Sequence, residues 1–472
     1  RRICTMARLR PSLEGLNERI VPAVSVKFLG GSLTITANPA NVSNNLVVTQ
    51  QATDGKFVIS DGGVSVGPYR VTGNITITSS NASDTIQVNL NRGAAGTFQL
   101  PGFLSINSRN GADTITINSD ATRGGRIGGN LILATGFSDD TVNIGTAGGA
   151  LSIGGAVSAN MDSGADTFNL GTTSTGKTFV TGRGVTLLRA NTVNMGTGTD
   201  PLTVNGTVSI DNTLDYGITN NITLGFNTTP SPAKIAGNFC YNGGTLIDDI
   251  KLYGTVQGAP GKNSVINMGQ GANTLDIDAV IGLGTSSDLI VTGGAGIDDI
   301  SLGDDTDIAN DAIFSLGAGN NVYGLNGAFT VGGDMSITAG NGDDIINLFA
   351  GQIGGDLTLS LGNGSNSLTF TGASTVGAAQ SASCHDFTYN GGDGDDEITF
   401  DADNGAVENS LTVNLGSGSD IFDATNSNDS SYLTGFIDLG LDLDPDQVTY
   451  RSALAAVTEI VNIFPNDTVT AV

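Results

Sequence analysis

The chain has no tryptophan, one histidine, three cysteines and 11 prolines in 472 residues. Each shortage excludes something. Cys4, Cys240 and Cys384 stand far apart, with no C-x-x-C pair and no histidine cluster, so neither a disulfide framework nor a structural zinc site is legible. Aromatic residues make up only 6% of the chain, which leaves small aliphatic side chains to fill the interior and offers no platform for stacking sugars. Basic residues number 19 against 46 acidic ones, and the formal net charge of −27 repels phosphate backbones and anionic lipid. Nucleic acid is thereby disfavoured as a partner, and cations are favoured. No stretch approaches the ~18 uninterrupted apolar residues of a transmembrane helix. The start also lacks the apolar core of an ordinary signal peptide.

What the chain has in excess is glycine, 69 residues of it, and self-similarity. Its length would suit two or three ordinary domains, but repeat architectures exceed that size as one body. In register stand GNITITSSNASDTIQV (73–88), GFLSINSRNGADTITI (102–117), GNLILATGFSDDTVNI (129–144), GAVSANMDSGADTFNL (155–170), GDLTLSLGNGSNSLTF (355–370) and NSLTVNLGSGSDIFDA (409–424), with GNFCYNGGTLIDDIKL (237–252) a looser copy. Each reaches an acidic or amide corner eleven residues after its first. Those corners are Asp84, Asp113, Asp140, Asp166, Asp200, Asp248, Asn273, Asp298, Asn321, Asp344, Asn366, Asp396 and Asp420. One degenerate copy, NNITLGFN (220–227), fills the widest gap, and the period is roughly 25 residues.

Inside a unit the apolar residues alternate strictly, as in Leu357, Leu359 and Leu361 with Thr358 and Ser360 between them. Period two means strand. A corner such as RNGA or GNGS is too tight for a helix and rich in residues that tolerate positive φ. The two strands of a unit bend at that corner, so each pairs with its copy one period later, and a third short strand is expected in the variable part. The expected fold is all-β: a right-handed parallel β-helix, or solenoid, with roughly 25-residue coils. In it Ile75, Leu104, Leu131 and Val157 stack in one interior column, and Ile115, Leu359 and Leu368 are also buried. The expected organisation is an export leader or N-terminal cap over residues 1–28, the solenoid over 29–430 and a C-terminal cap over 431–472. Residues 371–386 read as a loop inserted between coils, and the corner motif is lost after 430.

Two resemblances add expectations. LEGLNERIVPA (Leu13 to Ala23) resembles the L-E-x-L-x-x-R-x-x-P-A leader near the start of many secreted and cell-surface proteins of planctomycete bacteria, and implies export to an extracellular or cell-surface location. The alternative is a short amphipathic helix capping the repeats, and residues 1–5 read as an upstream extension before Met6. GGAGIDDIS (293–301) and GGDGDDEIT (391–399) are similar to the G-G-x-G-x-D-x-U-x string of calcium-binding β-roll repeats. That similarity implies calcium at Asp298, Asp299, Asp344, Asp393, Asp396 and Asp420, helped by glycine carbonyls. The competing reading is structural, because an Asp298, Asn321, Asp344, Asn366 alternation lets amides donate to neighbouring carboxylates.

His385, between Cys384 and Asp386, reads as loop decoration, and Cys240 as an outward residue between Phe239 and Tyr241. The function these features support is a structural or adhesive cell-surface or extracellular β-solenoid without catalytic activity. Its partners would be cell-surface or matrix components or further copies of itself. A calcium-stabilised secreted β-roll-like protein and a carbohydrate-active β-helix enzyme are the alternatives. Groove acids beside an Arg or Lys would favour the enzyme, and regular corner acids the other two.

Overall fold

A computed structural model describes residues 24–471 apart from 38–41, 173–178, 191, 198–201, 215–218, 226–232, 285, 326, 372–374, 377–384, 402–405, 408, 426–433 and 451–456. Among the described residues there are strands and turns and no helix. The protein is a parallel β-solenoid of about 13 turns, with coils of about 25 residues.

Three ladders run along it. The first stacks one strand per coil from Ser32–Ala37 through Ile75–Thr78 and Leu104–Asn107 to Val457–Val461. The second stacks the strands that follow each corner, from Asn45–Gln50 through Thr85–Leu90 to Thr468–Ala471. The third is the short strand expected in the variable part of each unit, and runs from Gly125–Ile127 to Ala406–Val407. Strands Ile247–Val256 and Asn273–Ile281 cross from the second ladder into the third without a break, which joins the two ladders into one sheet.

Alternation produces this stacking, because a strand with one apolar face can hide it only by closing the coil around an interior. Ile75, Leu104, Leu131 and Val157 are successive Cα partners and all are fully buried. Ile115, Leu359 and Leu368 are likewise at 0% exposure. Cys240 is half-buried between inward Phe239 and Tyr241, as its parity requires. Glycine allows the coils to approach at the corners. Gly342 has φ +149, and a Cβ there would meet Gly319 O at 2.2 Å, so no larger residue fits that stack.

Pairing at the beginning differs from the expected uninterrupted parallel order. Strands β1 (Val24–Leu29) and β2 (Ser32–Ala37) form an antiparallel pair, and β3 (Asn45–Gln50), β4 (Phe57–Asp61) and β5 (Val64–Tyr69) form an antiparallel meander. The two-residue links Gly30-Gly31 and Gly62-Gly63 are all at positive φ, which suits tight hairpins and not a coil corner. Beyond residue 430, strands Thr434–Asp438, Gln447–Tyr450, Val457–Val461 and Thr468–Ala471 continue the first two ladders in parallel. The supposed insertion at 371–386 contributes a rung, since Thr375–Val376 pairs with Gln352–Ile353 and Ala406–Val407.

Leu359→Asp should therefore destabilise the protein by about 4 kcal/mol or more, because it buries an unpaired charge, while Thr358→Asp on the outer side of the same strand should cost under about 1 kcal/mol. Urea denaturation of the two variants measures the difference. Equal midpoints would mean the inward register is wrong.

Candidate functional site: the buried corner column

At each corner the chain leaves the first ladder and enters the second, and at most described corners the backbone N–H at the bend has no backbone carbonyl as its partner; Asn273, whose N–H donates to Ile297 O at 3.0 Å, is an exception. A buried N–H needs an acceptor. The corner side chain of the next coil supplies one. Asp84 N donates to Asp113 Oδ1 at 2.7 Å, Asp113 N to Asp140 Oδ1 at 2.8 Å, and Asp140 N to Asp166 Oδ1 at 2.8 Å. Further along, Asp298 N donates to Asn321 Oδ1 at 3.1 Å, Asn321 N to Asp344 Oδ1 at 2.8 Å, and Asp396 N to Asp420 Oδ1 at 2.7 Å. The corner carbonyl accepts from the residue after the next corner, as in Thr141 N to Asp113 O at 2.8 Å. Each corner is thus tied to the next by main chain and side chain together.

The amides in the column add a second bond. Asn321 Nδ2 and Asn366 Nδ2 donate to Asp344 Oδ1 at 2.9 Å and Asp396 Oδ1 at 3.0 Å, and Asn273 Nδ2 to Asp298 Oδ1 at 2.8 Å. Alternation of Asp with Asn therefore has the structural purpose read from the sequence. Elsewhere the second carboxylate oxygen has other partners or none. Asp84 Oδ2 accepts from Ser79 Oγ at 2.6 Å and from Ser80 N and Oγ, both at 2.9 Å. Tyr389 Oη donates to Asp396 Oδ2 at 3.0 Å. The Oδ2 atoms of Asp113, Asp140, Asp298, Asp344 and Asp420 are buried without a hydrogen-bond partner.

Such burial disfavours the charged form. It pushes the carboxyls of Asp113, Asp166 and Asp420 up to about 7, and those of Asp140, Asp298, Asp344, Asp396 and Asp446 up to about 6, against the opposing pull of the N–H groups they accept. The Tyr323 phenol, buried near Asp344 and Asp298, is raised well above its usual value by the same cause.

The six carboxylates singled out for calcium do not converge. Asp298, Asp344, Asp396 and Asp420 are buried in the column, with Oδ1 occupied by N–H donors. Asp299 is the next residue along its strand and is exposed on the opposite side. Asp393 lies on the outer corner, where its Oδ1 accepts from Ser417 Oγ at 2.8 Å. Calcium takes six to eight oxygens, and among the described residues no three His, Cys, Asp or Glu side chains form a group that could hold a metal ion.

Some members of the column escaped the sequence reading. Asn44, Asn220, Asp446 and Asp467 belong to it, through Asn44 N to Asp84 Oδ1 at 2.6 Å, Asn220 Nδ2 to Asp248 Oδ1 at 2.7 Å, Asp420 N to Asp446 Oδ1 at 2.8 Å and Asp446 N to Asp467 Oδ1 at 3.2 Å. Asp200 lies outside the described residues. In the second ladder Thr192 pairs with Thr167 and Asn221.

A second column was also missed, and its signal is the Asn or Asp after the glycine that opens many units. Asn130 Oδ1 accepts from Ala156 N at 3.0 Å. Asp311, Asp334 and Asp356 accept in turn from Asp334 N, Asp356 N and Asp386 N, at 3.0, 2.9 and 2.8 Å. Asp386 accepts from Ser410 N at 3.2 Å and Oγ at 2.8 Å, while His385 beside it is buried; Cys384 lies outside the described residues.

Comparison with known families, curated proteins and solved structures finds no match, so the site is read from its geometry. Asp344→Ala should cost about 2 kcal/mol or more, because the N–H and Nδ2 of Asn321 lose a shared buried acceptor. Asp343→Ala, which removes only the exposed acceptor of Ser365 N, should cost well under half of that. Denaturant midpoints decide, and a reversed order would mean the inner column does not hold the stack.

Proposed function

We propose that this protein is an exported, non-catalytic structural or adhesive rod that works at the cell surface or in the matrix. The observation that carries the reading is the repetition of short polar side chains on the outer faces. In the second ladder Thr114, Thr141, Thr167 and Thr192 are successive partners. Beside them Asn143, Asn169 and Asn194 form an amide ladder with bonds of 2.8 and 2.9 Å. On the first ladder Ser336, Thr358, Thr388 and Thr412 repeat in the same way. A surface that offers the same groups once per coil suits many weak, equivalent contacts with a repetitive partner.

Regular use of the acids supports the non-catalytic part, since the corner carboxylates accept main-chain N–H groups, as a scaffold requires. Export rests on the leader resemblance at Leu13 to Ala23, outside the described residues. The net charge of −27 favours solubility and partners that are neutral or cationic.

Fractionation of cells producing the full chain should place it in the envelope or the medium, and removal of residues 6–23 should retain it inside. Recovery of the intact chain from the cytoplasm would overturn the export reading. Incubation of the purified chain with neutral and acidic polysaccharides should leave them uncleaved. Cleavage that disappears when one surface carboxylate is replaced would overturn the non-catalytic reading.

A further inference from the structure

Three corners share one local sequence. LGAGNN (316–321) and LGNGSN (361–366) end on Asn321 and Asn366, whereas LGSGSD (415–420) ends on Asp420. The leucine is buried in each, and the second glycine has φ +124, +131 and +141 in turn; the first glycine is also at positive φ in the second and third corners, Gly362 at +74 and Gly416 at +105, so the Asp420 corner is closest in backbone to that of Asn366. In the two asparagine corners the position of the second side-chain atom is defined by what Nδ2 touches. Asn321 Nδ2 donates to Gly319 O at 3.0 Å and Asp344 Oδ1 at 2.9 Å, and Asn366 Nδ2 to Gly364 O at 3.1 Å and Asp396 Oδ1 at 3.0 Å. Every group that meets that atom is an acceptor.

Asp420 puts an oxygen in this frame. Its Oδ1 accepts from Asp396 N at 2.7 Å, its own N–H donates to Asp446 Oδ1 at 2.8 Å, and its Oδ2 has no partner. An ionised carboxylate would set a bare anionic oxygen among carbonyl and carboxylate oxygens. A proton on Oδ2 turns it into the donor that the asparagine amide supplies elsewhere. Asp113 and Asp140 face the same problem. The neighbouring hydroxyls of Ser108 and Thr135 pull these carboxyls down as hydrogen-bond donors but by less than burial raises them, and the same hydroxyls also face Thr135 O at 3.3 Å and Met161 O at 3.0 Å. Among the described residues, the charged groups that act on these carboxyls are acids. Asp84 and Asp140 face Asp113, Asp113, Asp139 and Asp166 face Asp140, and Asp396, Asp442 and Asp446 face Asp420.

We propose that the interior column carries protons at Asp113, Asp140 and Asp420 in the folded protein, each standing in for an asparagine amide, so that the rod tightens in mildly acidic surroundings and loosens as they turn alkaline. The direction follows from linkage. These carboxyls ordinarily titrate at 3.8 and are held at about 6 to 7 when folded, so the folded chain binds more protons between those limits. Stability is therefore greatest below about pH 4 as far as these groups are concerned, falls through the window up to about 7, and is level above it.

The test uses the full chain and its melting temperature between pH 4.5 and 8, with and without high salt. The native protein should melt several degrees lower at pH 8 than at pH 4.5, and the difference should persist in salt, because buried groups are screened far less than surface repulsion. Asp420→Asn should raise the melting temperature at pH 8 and reduce the pH dependence. Glu397→Gln removes one charge from the outer side of its strand and should leave the dependence as it was. Infrared spectra of the native chain at pH 7 should show the C=O stretch of a protonated carboxyl, diminished in Asp420→Asn, which tests the proposal even where a variant folds poorly. A melting temperature that is flat with pH or whose dependence vanishes in salt, or an Asp420→Asn protein weaker than native at pH 8, would overturn it.

Discussion

A coil corner creates one difficulty that the rest of this structure answers: the backbone must bend sharply while its N–H stays buried. In a straight ladder the neighbouring strand supplies the acceptor. At the bend it cannot, and the side-chain oxygen of Asp or Asn in the next coil takes the place of a carbonyl. From Asn44 to Asp467 most of the described corners use this arrangement, with Asp113, Asp298, Asp344 and Asp420 almost wholly buried. The short reach of these side chains ties each corner to one neighbour, and the stacking distance of the sheet brings that neighbour within hydrogen-bond range.

Other features follow from that tie. Because the acceptor belongs to the next coil, registry is passed along the rod one unit at a time, and insertions are tolerated between units but not within them. The 40-residue interval from Asn44 to Asp84 is the longest between described consecutive corners, and it is filled by the β4–β5 hairpin without disturbing either corner. Glycines two residues before many corners let successive bends lie on top of one another, as Gly418 does on Gly394. The carboxylates that hold the bends are also strongly desolvated, so the acidity of the column and the integrity of the stack are linked. The outer faces are free of these demands, and there threonine, serine and asparagine repeat.

Much of this was legible in the sequence, and for definite reasons. Alternating apolar residues and a constant offset to the corner determined strands, inward parity and parallel stacking, because period two and a fixed repeat leave a closed coil as the way to bury one face of every strand. Leu131, Leu359 and the corner aspartates among the described residues were placed correctly on that basis. A motif at one position in the chain is different, because its meaning depends on what lies one coil away. GGAGIDDIS looks like a calcium turn when read along the chain. Tertiary structure decided that Asp298 turns inward to an asparagine amide while Asp299 turns outward, which separates carboxylates adjacent in sequence. The sequence by itself determined which side chains could serve as corners and core. Only the stacking of one coil on the next decided which donor each corner oxygen meets, because that distance is measured across the ladder and not along the chain.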